Sequence, residues 1–416
     1  MKKIIIFLFS LLLYSCTKKE KTHSSEFLLA QKELTEQLTK ISTQTDFNGF
    51  GVAIVNENEV LYQNGFGIAN LEPKQKYDEN TVQNIASVSK TFIGIAILKA
   101  QELGKLQLDD PINKYLSFKV TNPYYPNIPI TIRQLTTHTS SINDNEVYMK
   151  KTIVLNDTIN LKQNLDIDIS PTKFNPPTAK ITIEEFLQNT LDSKGKWYLK
   201  DVFLNKKPGE IYNYSNIGAT LAALVLEKAT GISYDKFTTE HILKPLQMNS
   251  SGWSFDSVNF SKCTNTFQDK RTPYPFYSLN TYPDGGMLTT SKDMGNYISE
   301  LLKGFLGKGT LLNKESYQEY FRPQLQAKNF IDRDTSEYGD YNIGITMTIF
   351  PSGNFGHFGG DPGLFSVIQF DKKKKTARYY IINTNPSGPE TNKYHKQIND
   401  ALDIYTEKLN TLSKLE

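Results

Sequence analysis

Cysteine is scarce in this chain, with Cys16 and Cys263 the only two in 416 residues. A fold stapled by disulfides is therefore excluded. Charge of one sign is lacking as well. Lys and Arg number 47 against 44 Asp and Glu, a net charge of +3, and the two signs are mixed along the chain. Nothing in that balance suggests nucleic acid as a partner. No His, Cys and carboxylate group has metal-ligand spacing, so neither a metal nor a cofactor is implied. There is no internal repeat and no low-complexity linker. The apolar run from Ile4 to Leu13 is too short to span a bilayer stably. The length allows two or three domains and a large core.

The N-terminus reads Met-Lys-Lys, then that apolar run, then Tyr14-Ser15-Cys16. A charged start with a short apolar stretch fits a secretory signal over residues 1–15. Leu13 and Ser15 ahead of Cys16 resemble the bacterial lipoprotein cleavage box, although Tyr14 is bulky for it. The expected mature chain begins at a lipid-modified Cys16, anchored to a membrane of the bacterial cell envelope and facing the periplasm or exterior. Residues 16–25, rich in Lys, are then a tether, and Cys263 is left without a disulfide partner.

Beyond the tether, Phe27, Ala30, Leu34, Leu38 and Ile41 recur at helical spacing. Gly51–Ile54 and Val60–Gly67 read as strands around the turn Asn56-Glu57-Asn58. Thr131-Ile132-Arg133-Gln134 is a capping-box pattern. Asn143 to about Lys207 is long and polar, with a helix capped at Thr182 inside it, and reads as an insertion, either a lid or a decoration. Ile217–Thr230 is an apolar helix stopped by Gly231. Ile343–Phe350, Leu364–Phe370 and Arg378–Asn383 read as strands, and the chain closes with a helix over roughly Thr391–Leu412. Strands at both ends with helices between predict one antiparallel sheet built from both termini, with a helical region inserted.

The chemistry starts at Gln83–Leu103, where the apolar positions run almost all round a helix and so predict a buried one. At its front stands Ser87-Val88-Ser89-Lys90. Residues three apart share a helix face, so the Ser87 hydroxyl and Lys90 amine are neighbours. Burial disposes an amine to lose or share its proton, which is what a serine nucleophile needs. Ser-x-x-Lys also begins at Ser15, Ser170, Ser193 and Ser233, but only Ser87 opens a long apolar helix. Two further places offer partners. Tyr214-Ser215-Asn216 precedes an apolar helix and supplies a phenol and an amide. His357-Phe358-Gly359-Gly360, read as lying between strands, supplies small residues and free backbone N–H groups for an oxyanion. His138 reads as a residue that fixes local structure.

Ser87–Lys90, Tyr214–Asn216 and His357–Gly359 stand in the order and approximate spacing of the serine β-lactamase and penicillin-binding protein superfamily. They resemble most its class C β-lactamase-related branch, which uses Tyr-x-Asn. Flanking stretches agree: the segment at Thr131–Ser141, the segment Pro208–Gly218, and Lys244–Met248 are all similar to elements of that branch. The resemblance runs from about Phe27 to the C-terminus. It implies an α/β sandwich, an antiparallel sheet flanked by helices with an all-helical subdomain, in one catalytic domain over residues 26–416. It implies Ser87 as the acylated nucleophile, Lys90 to deprotonate or polarise it, and Tyr214 as general base and acid. Asn216 would hold the substrate, and Ser87 and Gly360 N–H groups would form the oxyanion hole beside His357 and Gly359.

The departures matter equally. The true β-lactamases carry Lys where this chain has His357, and an imidazole supplies that charge only when protonated. Efficient β-lactam hydrolysis is therefore not expected. Ser141 and Gln247 stand where the branch usually has Gly. The expected activity is a serine hydrolase working through an acyl-enzyme on an ester, amide or D-amino-acid peptide. The alternatives are a penicillin-binding D-Ala carboxypeptidase or weak β-lactamase, and a non-catalytic envelope binding protein. The partner is a small-molecule or peptide substrate, and the oligomeric state is left open.

Overall fold

A computed structural model describes residues 23–156, 173–330, 341–385 and 389–415. The expected leader, the expected lipidation position Cys16 and residues 157–172 of the expected insertion lie outside the described residues.

In chain order the strands are β1 (Gly49–Asn56), β2 (Val60–Asn70), β3 (Gln75–Lys76), β4 (Gln83–Asn84), β5 (Ile153–Leu155), β6 (Tyr277–Leu279), β7 (Leu288–Thr289), β8 (Asn342–Ile343), β9 (Thr348–Ile349), β10 (Phe355–Asp361), β11 (Leu364–Asp371) and β12 (Thr376–Ile382). The helices are α1 (Ser25–Gln44), α2 (Lys90–Glu102), α3 (Ile132–Thr136), α4 (Glu146–Lys151), α5 (Ile183–Leu191), α6 (Asn216–Thr230), α7 (Tyr234–Thr238), α8 (Ser291–Phe305), α9 (Lys314–Phe321) and α10 (Pro389–Ser413). Eight strands form one antiparallel sheet in the order β3-β2-β1-β12-β11-β10-β9-β8. Its centre joins the two ends of the chain, with Val52 of β1 opposite Tyr380 of β12.

Side-chain alternation in β1 explains the layers. Phe50, Val52 and Ile54 face α1 and α10 and join Leu34, Leu38, Ile398 and Leu402 in one core. Ala53 and Val55 face the other way and join Met294, Tyr297 and Ile298 of α8 in the larger core. α8 lies so close that a Cβ on Gly51 would fall 2.1 Å from the Ser291 hydroxyl oxygen. The larger core continues into the helical region, where α2 and α6 are buried on nearly every side.

The capping box at Thr131 forms as its sequence implies. The stretch 143–207, read from its polar composition as an insertion, carries core residues in its described parts. Ile183, Phe186, Leu187 and Leu191 of α5 are buried in the main core, and β5 pairs with β6. α5 is amphipathic, and its short apolar face is enough to dock it on α6. The stretch at Ile343–Phe350 is not one strand but two short ones, β8 and β9, folded on each other.

Candidate active site

Ser87 sits in a single 3-10 turn, Ala86–Ser89, immediately ahead of α2. It is therefore one turn before the α-helix proper and not inside it. The turn is clamped on three sides. The Ile85 N–H donates to the Met287 carbonyl at 3.0 Å, the Ser366 hydroxyl donates to the Ile85 carbonyl at 2.6 Å, and the Ala86 N–H donates to the Asn84 side chain at 2.6 Å. Ala86 is held at φ 45°, a left-handed conformation that a residue with a Cβ resists. The serine is thus presented by a backbone fixed from several elements at once.

Lys90 is fully buried. Its Nζ donates to Ser87 Oγ at 3.0 Å and to the main-chain oxygen of Asp284 at 2.6 Å, and it lies 5.2 Å from the centre of the Tyr214 ring. Burial works against its charge, but the Tyr214 oxygen, Asp284 and Asp144 outweigh that cost and hold the amine above its ordinary value. Of the two expected behaviours, losing or sharing its proton, the negative surroundings favour the second, with Lys90 donating to Ser87 Oγ.

Tyr214 is 37% exposed and faces the same opening. His138 underpins it, with ring centres 4.4 Å apart. The His138 Nδ1 accepts from the Ser215 N–H at 3.1 Å, and burial together with Lys90 holds this ring neutral. Asn216 opens α6. Its side-chain amide donates to Asp144 at 2.8 Å. The same carboxylate accepts from the N–H groups of Asn216 and Ile217 and from the Ser215 hydroxyl. Asp144 thereby satisfies donors that a helix start leaves unpaired. Burial still pushes its pKa up.

His357, Gly359 and Gly360 lie within β10, not between strands. The His and two Gly gave the sequence the look of a turn, but pairing with β11 holds the segment extended, with Gly359 opposite Ser366. A Cβ on Gly359 would lie 3.0 Å from the Ser87 nitrogen and 2.5 Å from the Ile85 oxygen, so only glycine permits this strand to approach the serine so closely. Around Gly360 the space is open. The His357 ring is buried, and its Nδ1 donates to the Phe358 carbonyl at 2.7 Å. Burial and the Lys90 charge push it down to about 4.

Ser87, Tyr214, His357, Gly359 and Gly360 line one cavity of about 410 Å³, whose remaining wall is largely aromatic: Tyr212, Tyr341, Phe350, Phe358 and Phe365. Among the described residues no group of His, Cys, Asp and Glu could hold a metal ion. Sequence reasoning did not find Asp144, Asp284 or the tyrosines at 212 and 341. The acidic pair sits in a polar stretch and a glycine turn, where carboxylates are commonplace.

A serine whose hydroxyl touches a buried ammonium, a phenol beside that ammonium, and a glycine strand against the serine nitrogen form an arrangement that can carry acyl transfer through serine. The sequence pattern of the Beta-lactamase family matches residues 32–403, and the chain belongs to that family. It is 29% identical over 256 residues to protein flp of Staphylococcus aureus (strain MW2), a match covering 60% of this chain and 44% of that protein. It thus spans less than half of that relative's length. It is 25% identical over 370 residues to a penicillin-binding protein of Bacillus subtilis (strain 168), covering 84% of this chain and 71% of that one. Among solved structures, EstCE1, a hydrolase with promiscuous acyltransferase activity, superposes with a TM-score of 0.67 at 18% identity, over 90% of this chain and 99% of that one. That likeness establishes the shared fold of an antiparallel sheet with flanking helices.

Proposed function

We propose that the protein is a serine hydrolase that forms an acyl-enzyme at Ser87 and acts on uncharged esters or amides with an apolar or aromatic group. The observation that carries this is the position of the Lys90 Nζ, hydrogen-bonded to Ser87 Oγ and lying beneath Tyr214. Lys90 Nζ is already a donor to Ser87 Oγ, so the task of taking the serine proton falls to Tyr214. Ser87 Oγ attacks the carbonyl carbon as its proton passes to Tyr214. The oxyanion is received by the N–H groups of Ser87 and Gly360. Tyr214 returns the proton to the leaving alcohol or amine, and water then releases the acid by the same path. Asn216 can hold the substrate through its amide oxygen, its nitrogen being tied to Asp144.

Substrate class follows from His357. A ring held neutral offers no cation to a carboxylate at physiological pH. The aromatic wall favours an apolar partner instead. Intact mass of the fragment beginning after Cys16, mixed with an activated ester and separately with a penicillin, tests the reading. An ester adduct or turnover that is absent in Ser87→Ala supports it. Ester turnover surviving in that variant sinks it, and penicillin acylating faster than the ester overturns the substrate class.

The leader supports a second part of the proposal, that the chain is lipidated at Cys16 and held on the cell envelope. Among the described residues no helix is long and apolar enough to cross a membrane. Labelled palmitate should enter the full chain and not Cys16→Ser; equal labelling removes the anchor.

A further inference from the structure

Asp284 takes part in no step above, yet it is 1% exposed at the floor of the site. Its main-chain oxygen accepts from the Lys90 Nζ at 2.6 Å. Its carboxylate is gripped from two helices. The Thr220 hydroxyl of α6 donates at 2.9 Å, and the Tyr148 hydroxyl of α4 lies 3.2 and 3.3 Å from the two oxygens. Burial keeps that phenol in its donor form.

An anion so deep is costly. Burial pushes Asp284 up to about 6, against the pull of Lys90 and of its hydrogen bonds to Thr281 and Thr220. An asparagine would accept from the same hydroxyls at no such cost. What only the carboxylate adds is charge. The titratable groups that act on it are Lys90 from α2, Tyr148 from α4, Asp144 from the segment before α4, and Asp361 at the end of β10. Asp361 is itself pushed up to about 7 by burial and by Asp284. His138 and His357, which share the Lys90 field, are neutral. The negative charge of Asp284 therefore falls on the Lys90 ammonium.

We propose that Asp284 is a positioning residue that acts through Lys90: its main-chain oxygen fixes the ammonium against Ser87, and its carboxylate keeps that amine charged, so that Tyr214 and not Lys90 receives the serine proton. This rests on the acyl-transfer reading above.

The test compares the wild type, Asp284→Asn and Asp284→Glu. The Lys90 side-chain titration is followed by carbon-13 NMR on lysine-labelled protein and assigned with Lys90→Arg. In parallel, kcat/KM for a neutral activated ester is measured across pH. In Asp284→Asn the Lys90 titration and the alkaline fall in kcat/KM should both move down by about one pH unit or more, a tenfold change in proton affinity. Asp284→Glu should restore them. A rate lowered equally at every pH, with the Lys90 titration unmoved, overturns the proposal and makes Asp284 purely structural. Should Asp284→Asn fail to fold, the wild-type titration decides alone: Lys90 titrating below about 10.4, the ordinary lysine value, overturns it. That titration needs no substrate, so a protein without esterase activity would defeat the proposed function and still report on Asp284.

Discussion

His357 differs from its neighbours in the site because its charge, not its position, is the open variable. Its ring is pinned by the Phe358 carbonyl and kept neutral by burial beside Lys90. Replacing it with a permanent cation tests whether that neutrality sets the substrate class. In His357→Lys, kcat/KM for a carboxylate-bearing β-lactam relative to a neutral ester should rise about tenfold, the worth of a modest ion pair of roughly 1.4 kcal/mol. An unchanged ratio would place the selectivity in the aromatic wall. At this scale the sequence was informative where a motif couples two residue types at a fixed spacing. Ser87 and Lys90 are readable because three positions along a helix start bring them together, and the structure holds them 3.0 Å apart. Asp144 and Asp284 were not readable, since their partners come from α4 and α6 and no local spacing betrays them. Ser141 and Gln247, set by the resemblance where that branch usually has glycine, have φ of 66° and 55°. Both therefore hold the left-handed turn conformation that glycine adopts most easily.

Helix α6 carries Tyr214 and Asn216 at its head, and its setting depends on one carboxylate. Asp144 joins two backbone N–H groups, the Ser215 hydroxyl and the Asn216 amide. Asp144→Ala should cost about 2–3 kcal/mol in denaturant unfolding, since several donors lose a shared acceptor. It should also slow acylation by displacing Tyr214. A loss below about 0.5 kcal/mol would show that water replaces the carboxylate without strain. Elements with one strong periodicity were legible, α1 and α6 among them, and so was the stop at Gly231 with φ 73°. β10 was not, because glycine and histidine carry no strand signal and only pairing with β11 makes the segment a strand. α5 was legible as a helix from its cap at Thr182, but its burial was not, since its neighbours in sequence are polar.

Across the whole molecule, acid acts on two opposing sets of buried groups. His138, His357 and His395 titrate lower in the fold than in the unfolded chain. Their contribution is present above about 6.5 and is lost as pH falls, through about 4 for His357 and His395. Asp284 and Asp361 titrate higher in the fold, at about 6 and about 7. Their protonated forms favour the fold at low pH, and that advantage is lost as pH rises through those values. Asp361→Asn should therefore raise the melting temperature at pH 8, by a free energy on the order of 1–2 kcal/mol, and match the parent near pH 4. A gain that is constant across pH would show that the carboxylate's charge is not the cause.

The architecture at this scale was readable because strand patterns cluster at both ends of the chain, and β1 indeed lies against β12. That seam also governs when the molecule can exist. A ribosome releases β1 and β2 early, but their central partner arrives only after nearly everything else has been made. Until then the first strands have an unpaired edge, and the segment with His357 has not met Ser87. Synthesis and folding are consequently separated in time. A nascent chain of this topology keeps Ser87 apart from the rest of its site until its last strands emerge.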